Sequence, residues 1–157
     1  GTLLDFAKKE AKSKAYDAVW LLFDRDVLKT QNISKDILRQ INDKKALAKL
    51  KINLADSFPC FEVWFLLHYC LPKQYYSSQN ELIKDLCKYL PSYTKNNVWL
   101  SRNDIYKLLK NRIDNAYVNS EKLHSRNVGF DSMESTMCNV DLLMEEISSL
   151  AGDANNL

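Results

Sequence analysis

Asp24 and Asp26 stand one residue apart where an apolar run, Val19-Trp20-Leu21-Leu22-Phe23, gives way abruptly to charge. A short continuous apolar run reads as a strand buried on both faces of a parallel sheet. Open α/β sheets bind ligands at the carboxyl ends of their strands. Two carboxylates placed there make a hard-oxygen site suited to a divalent cation such as Mg²⁺. The same spacing also serves as a solvated turn or a helix cap, and spacing alone leaves both readings open. Arg25, between them, reads either as a phosphate contact or as an outward-pointing arginine paired with Asp26.

A second chemical segment is Asp56-Ser57-Phe58-Pro59-Cys60-Phe61-Glu62-Val63-Trp64-Phe65-Leu66-Leu67-His68-Tyr69. Glu62 lies early in a very apolar stretch. It reads as a third metal ligand or base, or as a first-turn carboxylate satisfying a helix N-terminus. Among Phe61, Val63 and Phe65 its pKa should rise unless it is paired or on metal. His68 follows by six positions, about 120° further round a helix, so the two do not share a face. Cys60, Trp64 and His68 do form one stripe, but the helical rise separates Cys60 from His68 by roughly 12 Å and argues against a dyad. His68 reads as a satisfied core donor or as a phosphate contact or acid. Cys60 reads as a small core residue.

Together the two segments resemble the RloB family of bacterial Toprim-fold proteins. That family carries a strand ending in Phe-Asp-Arg-Asp, matched by Phe23-Asp24-Arg25-Asp26, and then a Ser-Asn-Pro-Cys-Phe-Glu-Leu-Trp-Leu-Leu-Leu-His-Phe-like segment. Here Phe58 stands where the family has Asn, Val63 for Leu and Tyr69 for Phe. Tyr93 and Lys95, the Asn115-Ala116 helix end, and Ser135-Thr136 before Val140 also sit where the family has similar features. The resemblance implies a metal site of Asp24, Asp26 and Glu62 for Mg²⁺ or Mn²⁺, with His68 as a further catalytic residue. It also implies metal-dependent phosphodiester cleavage of DNA or RNA in antiphage defence, beside an ATPase partner protein. The rival reading is a non-catalytic module that docks on an ATPase and needs no complete carboxylate set. Toprim proteins draw a further glutamate from the end of their first strand. In this family that strand precedes a loop resembling Gly1-Thr2, so the chain is expected to start just after it.

The elements that must hold these residues read as follows. Thr2 caps a helix over Leu3 to Lys14, with Leu3, Leu4, Phe6 and Ala7 on its apolar side. Tyr16 to Phe23 is the first strand. Ser34 caps a helix to Lys49, and Lys51 to Ala55 is a second strand, ended by Asp56 and Ser57 and parallel to the first. Pro59 opens the next helix, which runs to Tyr69 and should be the central buried one. Further helices are expected over Asn80 to Leu90, Arg102 to His124 and Asn139 to Leu150. Ser125 to Thr136 reads as a polar loop, and the last residues, from Gly152, should fray. The fold class expected is therefore α/β: Toprim-like and helix-rich, with a small, mostly parallel sheet lacking its first strand.

The 157 residues suit a single domain with a real core. A net charge of +2 gives no global argument for nucleic acid, though it permits a local basic face. The lysines fall into three groups: Lys8, Lys9, Lys12 and Lys14; Lys44, Lys45, Lys49 and Lys51; and Lys107 and Lys110 with Arg112. Four cysteines without a Cys-x-x-Cys pair argue against zinc and fit a reducing, cytoplasmic compartment. The longest apolar stretch, Val63 to Leu67, is too short to span a bilayer.

Overall fold

The computed structural model describes residues 2–13, 16–30, 35–130 and 133–154. Helix α1 (Leu3–Lys12) leads into β1 (Val19–Asp24), followed by α2 (Asp26–Thr30), α3 (Lys35–Asn42) and α4 (Lys44–Lys49). Strand β2 (Ile52–Phe58) then precedes α5 (Glu62–Leu67), α6 (Gln79–Leu86), α7 (Asn97–Arg102), α8 (Ile105–Leu109) and α9 (Ile113–Arg126). A short β3 (Met137–Cys138) and α10 (Val140–Ala154) complete the described elements. The sheet has the order β1-β2-β3. β1 and β2 pair in parallel from Val19↔Ile52 to Asp24↔Ser57, as the two apolar runs predict. β3 adds antiparallel to the end of β2 over two residues, so the small sheet is mixed, with most of its pairing parallel. Among the described residues no helix is long and apolar enough to cross a membrane.

Thr2 caps α1 through a full capping box with Asp5. Only Leu4 and Ala7 of its expected apolar side are buried; Leu3 and Phe6 are exposed. Val19, Leu21 and Phe23 of β1 face a cluster with Leu4, Ala7, Ile41, Leu47 and Ile52. Leu22 alternates to the opposite side and is 51% exposed, so β1 is not buried on both faces. Ser34, the expected cap of the connecting helix, lies outside the described residues, as do Gly1, Lys14 and residues 155–157. The described part of that connection is two helices, since Asp43 caps α4 through Ala46 N–H at 3.0 Å.

β2 runs on through Asp56 and Ser57, which were expected to end it. A carboxylate can stand inside a strand when its charge is paired, and Asp56 is paired with Arg25. α5 begins at Glu62, so Pro59 precedes the helix and is not part of its first turn. Its side chains Val63, Trp64, Leu66 and Leu67 are buried, with Tyr76, Leu82, Leu86 and Tyr93 packed around them. α5 is thus the central helix that its composition predicts. The single helix expected over Arg102 to His124 is broken twice. Asn103 donates to Trp99 O at 2.8 Å, Asp104 caps α8 through Lys107 N–H at 3.1 Å, and Lys110–Arg112 tightens into a 3-10 turn. Short polar side chains that bond nearby backbone compete with helix continuation. α10 extends past Gly152 to Ala154.

Candidate functional site

The site forms where β1 ends and α5 begins. Phe61, the residue before α5, offers no side-chain cap. Asp24 supplies one from the neighbouring strand: its Oδ1 accepts the Phe61 N–H at 2.7 Å and faces the Ser57 hydroxyl at 3.4 Å. The capping reading of the Asp-x-Asp spacing holds for Asp24, whose Oδ1 caps a helix while Oδ2 looks toward Lys95. Burial raises the Asp24 pKa; Glu62 and Asp26 add to the rise, against Lys95 and the Phe61 N–H.

Glu62 opens α5 with its side chain only 4% exposed. Tyr93 donates its hydroxyl to Oε1 at 2.8 Å. The Lys95 ammonium lies 2.9 Å from Oε2, which has no hydrogen-bond donor aligned on it among the described residues. Burial pushes this carboxyl up, but Lys95, the Cys60 thiol and Tyr93 together outweigh it and hold the pKa below the ordinary value. The expectation of a raised value unless paired resolves to the paired case. Cys60, buried as expected, has its own thiol pKa pushed up by burial and by Glu62.

Lys95 ties the carboxylates together. Its Nζ is 2.9 Å from Glu62 Oε2 and 3.8 Å from Asp24 Oδ2, and it donates to Gln79 Oε1 at 3.2 Å. Gln79, at the start of α6, in turn donates its amide to Asp26 Oδ2. Asp24 and Glu62 thus converge on one cationic nitrogen, and Asp26 joins them one residue removed. Among the described residues no three His, Cys, Asp or Glu side chains gather closely enough to hold a metal ion. The Lys95 side chain is 39% exposed, so the network opens to solvent on that side.

Arg25 does not point outward as one of its readings had it. It turns inward, 3% exposed, and pairs through Nε with Asp56 while Nη1 donates to Asn42 Oδ1 at 3.2 Å. Asn139 at the start of α10 completes the group, donating Nδ2 to Asp56 Oδ1 at 2.8 Å. The middle residue of the Asp-Arg-Asp turn is therefore moored inside the fold. His68 also lies apart from the carboxylates. Its Nδ1 donates to Trp64 O at 2.8 Å and its ring meets Trp64 edge-on at 4.9 Å. Burial lowers its pKa, against the Trp64 carbonyl, so it is the satisfied core donor.

The cation at the carboxylates comes from none of the three lysine groups. Lys95 sits in an aperiodic stretch after Pro91, as a basic residue belonging to no helix face, and only the family resemblance singled it out together with Tyr93. Ser92 adopts φ +63° just before Tyr93. Tyr93 then packs edge-on against Phe65 and Trp99, which fixes the loop that carries Lys95. Gln79 gave no signal in the sequence.

A family model described as RloB-like protein matches residues 1–147. No curated protein and no solved structure matches the chain.

Proposed function

The chain belongs to the RloB-like family, and on that premise we propose that it is a Mg²⁺- or Mn²⁺-dependent phosphodiesterase acting on DNA or RNA in antiphage defence. The observation that carries this reading is the convergence of Asp24 and Glu62 on one cationic nitrogen. Two carboxylates that already share one ammonium, Glu62 through Oε2 at 2.9 Å and Asp24 through Oδ2 at 3.8 Å, suit a hard divalent cation in its place. Asp24 and Glu62 would hold it; Asp26 would have to turn from Gln79 to contribute. Such a cation, when bound, neutralises a phosphodiester and lowers the pKa of the attacking water.

The remaining roles fall to the chain's own groups. With Oδ1 fixed by the Phe61 N–H, Oδ2 is the Asp24 atom left to ligate or to accept a proton. A carboxylate whose pKa burial has raised is better poised to take that proton near neutral pH. Tyr93 orients Glu62. Lys95, part-exposed, is placed to contact a phosphate oxygen of the substrate.

A second reading is favoured by one specific observation. The network closes without metal, since Lys95 serves both carboxylates and Gln79 serves Asp26. A degenerate Toprim-like module that docks on an ATPase would look like this. The deciding experiment compares Asp24→Asn with a surface control, Lys9→Ala. Cleavage of DNA and total RNA is measured with Mn²⁺ and the candidate ATPase, alongside phage protection. The catalytic reading expects cleavage and protection to vanish in Asp24→Asn while the protein stays folded. Protection retained in that variant refutes it.

A further inference from the structure

A cavity of about 210 Å³ lies where α4, the end of α9 and β3 meet, with Lys44, His124, Asn127, Ser135 and Asn139 on its polar wall and Val128, Phe130 and Met137 completing it. It shares no residue with the Asp24–Glu62–Lys95 network. Its wall carries two basic side chains and no carboxylate. We propose that this cavity binds the phosphate group of a phosphate monoester between Lys44 and His124.

The geometry is built from behind. His124 Nε2 lies 2.8 Å from Asp141 Oδ2, and the Asp141 side chain is buried at the start of α10. With Nε2 spent on Asp141, Nδ1 is the ring donor left for another partner. The hydrogen bond to Asp141 raises the His124 pKa, against burial, and the charge of Glu145 reinforces it while that of Lys44 opposes. Those are the charged groups that meet the ring: Lys44 from α4, and Asp141 and Glu145 from α10. An imidazolium held beside an ammonium is a pair of charge-assisted donors for a tetrahedral oxyanion. Lys44 opposes the charge on His124, which Asp141 and Glu145 offset, and a dianion between the two cations adds a counter-charge on the side away from Asp141. Asn127 is locked, donating to Thr136 O at 2.7 Å and accepting from the Ser135 hydroxyl at 2.7 Å, so the floor is rigid.

Size and surroundings select the ligand class. The cavity is smaller than the ~300–1,000 Å³ of whole-ligand pockets, and so suits a group rather than a whole molecule. A neighbouring cavity of about 260 Å³ shares Lys44 and Asn139 and is lined by Trp20, Leu47, Leu54 and Leu142. That apolar wall, with one aromatic ring, gives room for the organic part of the ester.

The test is a titration of the full chain with inorganic phosphate and with adenosine 5′-monophosphate at constant ionic strength, reading the His124 ring protons by NMR. Saturable one-site shifts are expected with both probes, with the nucleotide several-fold tighter. Lys44→Ala should weaken both by at least about tenfold, the scale of a lost charge-assisted contact. Lys45→Ala, an equally charged neighbour, should leave both unchanged. Binding should also fade as pH rises through the raised His124 pKa. The proposal is overturned if no saturable shift occurs, or if Lys44→Ala and Lys45→Ala behave alike. The His124–Asp141 pair would then only pin α9 to α10. Inorganic phosphate binding as tightly as the nucleotide would overturn the role of the Trp20 cavity.

Discussion

Replacing Arg25 with Met takes the cation out of the best-buried ion pair among the described residues, where Arg25 and Asp56 are 3% and 0% exposed. Removing one partner of such a pair costs about 3–5 kcal/mol, because the other charge stays out of water uncompensated. Asp56 keeps one donor, Asn139 Nδ2 at 2.8 Å. That remaining bond places the expected loss at the lower end, about 3 kcal/mol. With a urea m-value of about 2 kcal/mol/M for a domain of this size, the midpoint should fall by about 1.5 M. Urea unfolding followed by far-UV circular dichroism measures it. The double variant Arg25→Met with Asp56→Asn removes the stranded charge and leaves an acceptor for Asn139. It should be more stable than Arg25→Met alone, although it carries one more substitution. A single-variant loss below about 1 kcal/mol would refute the reasoning, because it would mean the pair is solvated. So would a double variant less stable than the single. The result bears on the site as well, since this pair moors the residue between Asp24 and Asp26.

Three further outcomes are expected. Trp64→Ala empties a position 5% exposed at the centre of the core and should cost about 3–5 kcal/mol; an unchanged urea midpoint would contradict the packing described for α5. Lys95→Met removes the cation that Asp24 and Glu62 now share, so Mn²⁺ should raise the melting temperature of this variant more than that of the parent protein; equal shifts would show that Lys95 does not stand in the cation position. The His124–Asp141 contact raises the His124 pKa, so its stabilisation is full below the unfolded value of 6.5 and is lost as pH rises through the folded value. The melting-temperature gap between the parent protein and His124→Gln should therefore shrink as pH rises above 6.5, and a constant gap would refute the charged pair.

Local pattern was enough for the parallel pairing of β1 and β2, the buried α5 and the Thr2 cap, because each depends on neighbours in sequence: an apolar run, a helical repeat, a hydroxyl before a first turn. The same pattern put Asp24 at a strand end and Glu62 at a helix start, and a parallel strand pair brings such ends together. What pattern does not carry is the partner of each charge. Arg25 pairs with Asp56 on the neighbouring strand, and Glu62 took Tyr93 and Lys95 from a loop some thirty residues away. β3, two residues long, has no periodicity of its own and exists only as an addition to β2. Burial sets the cost of an unpaired charge, and burial is a property of the assembled chain. The sequence by itself therefore determined which carboxylates stand at the edge of the sheet; only the tertiary structure decided which of them share a cation and which are sealed into the fold.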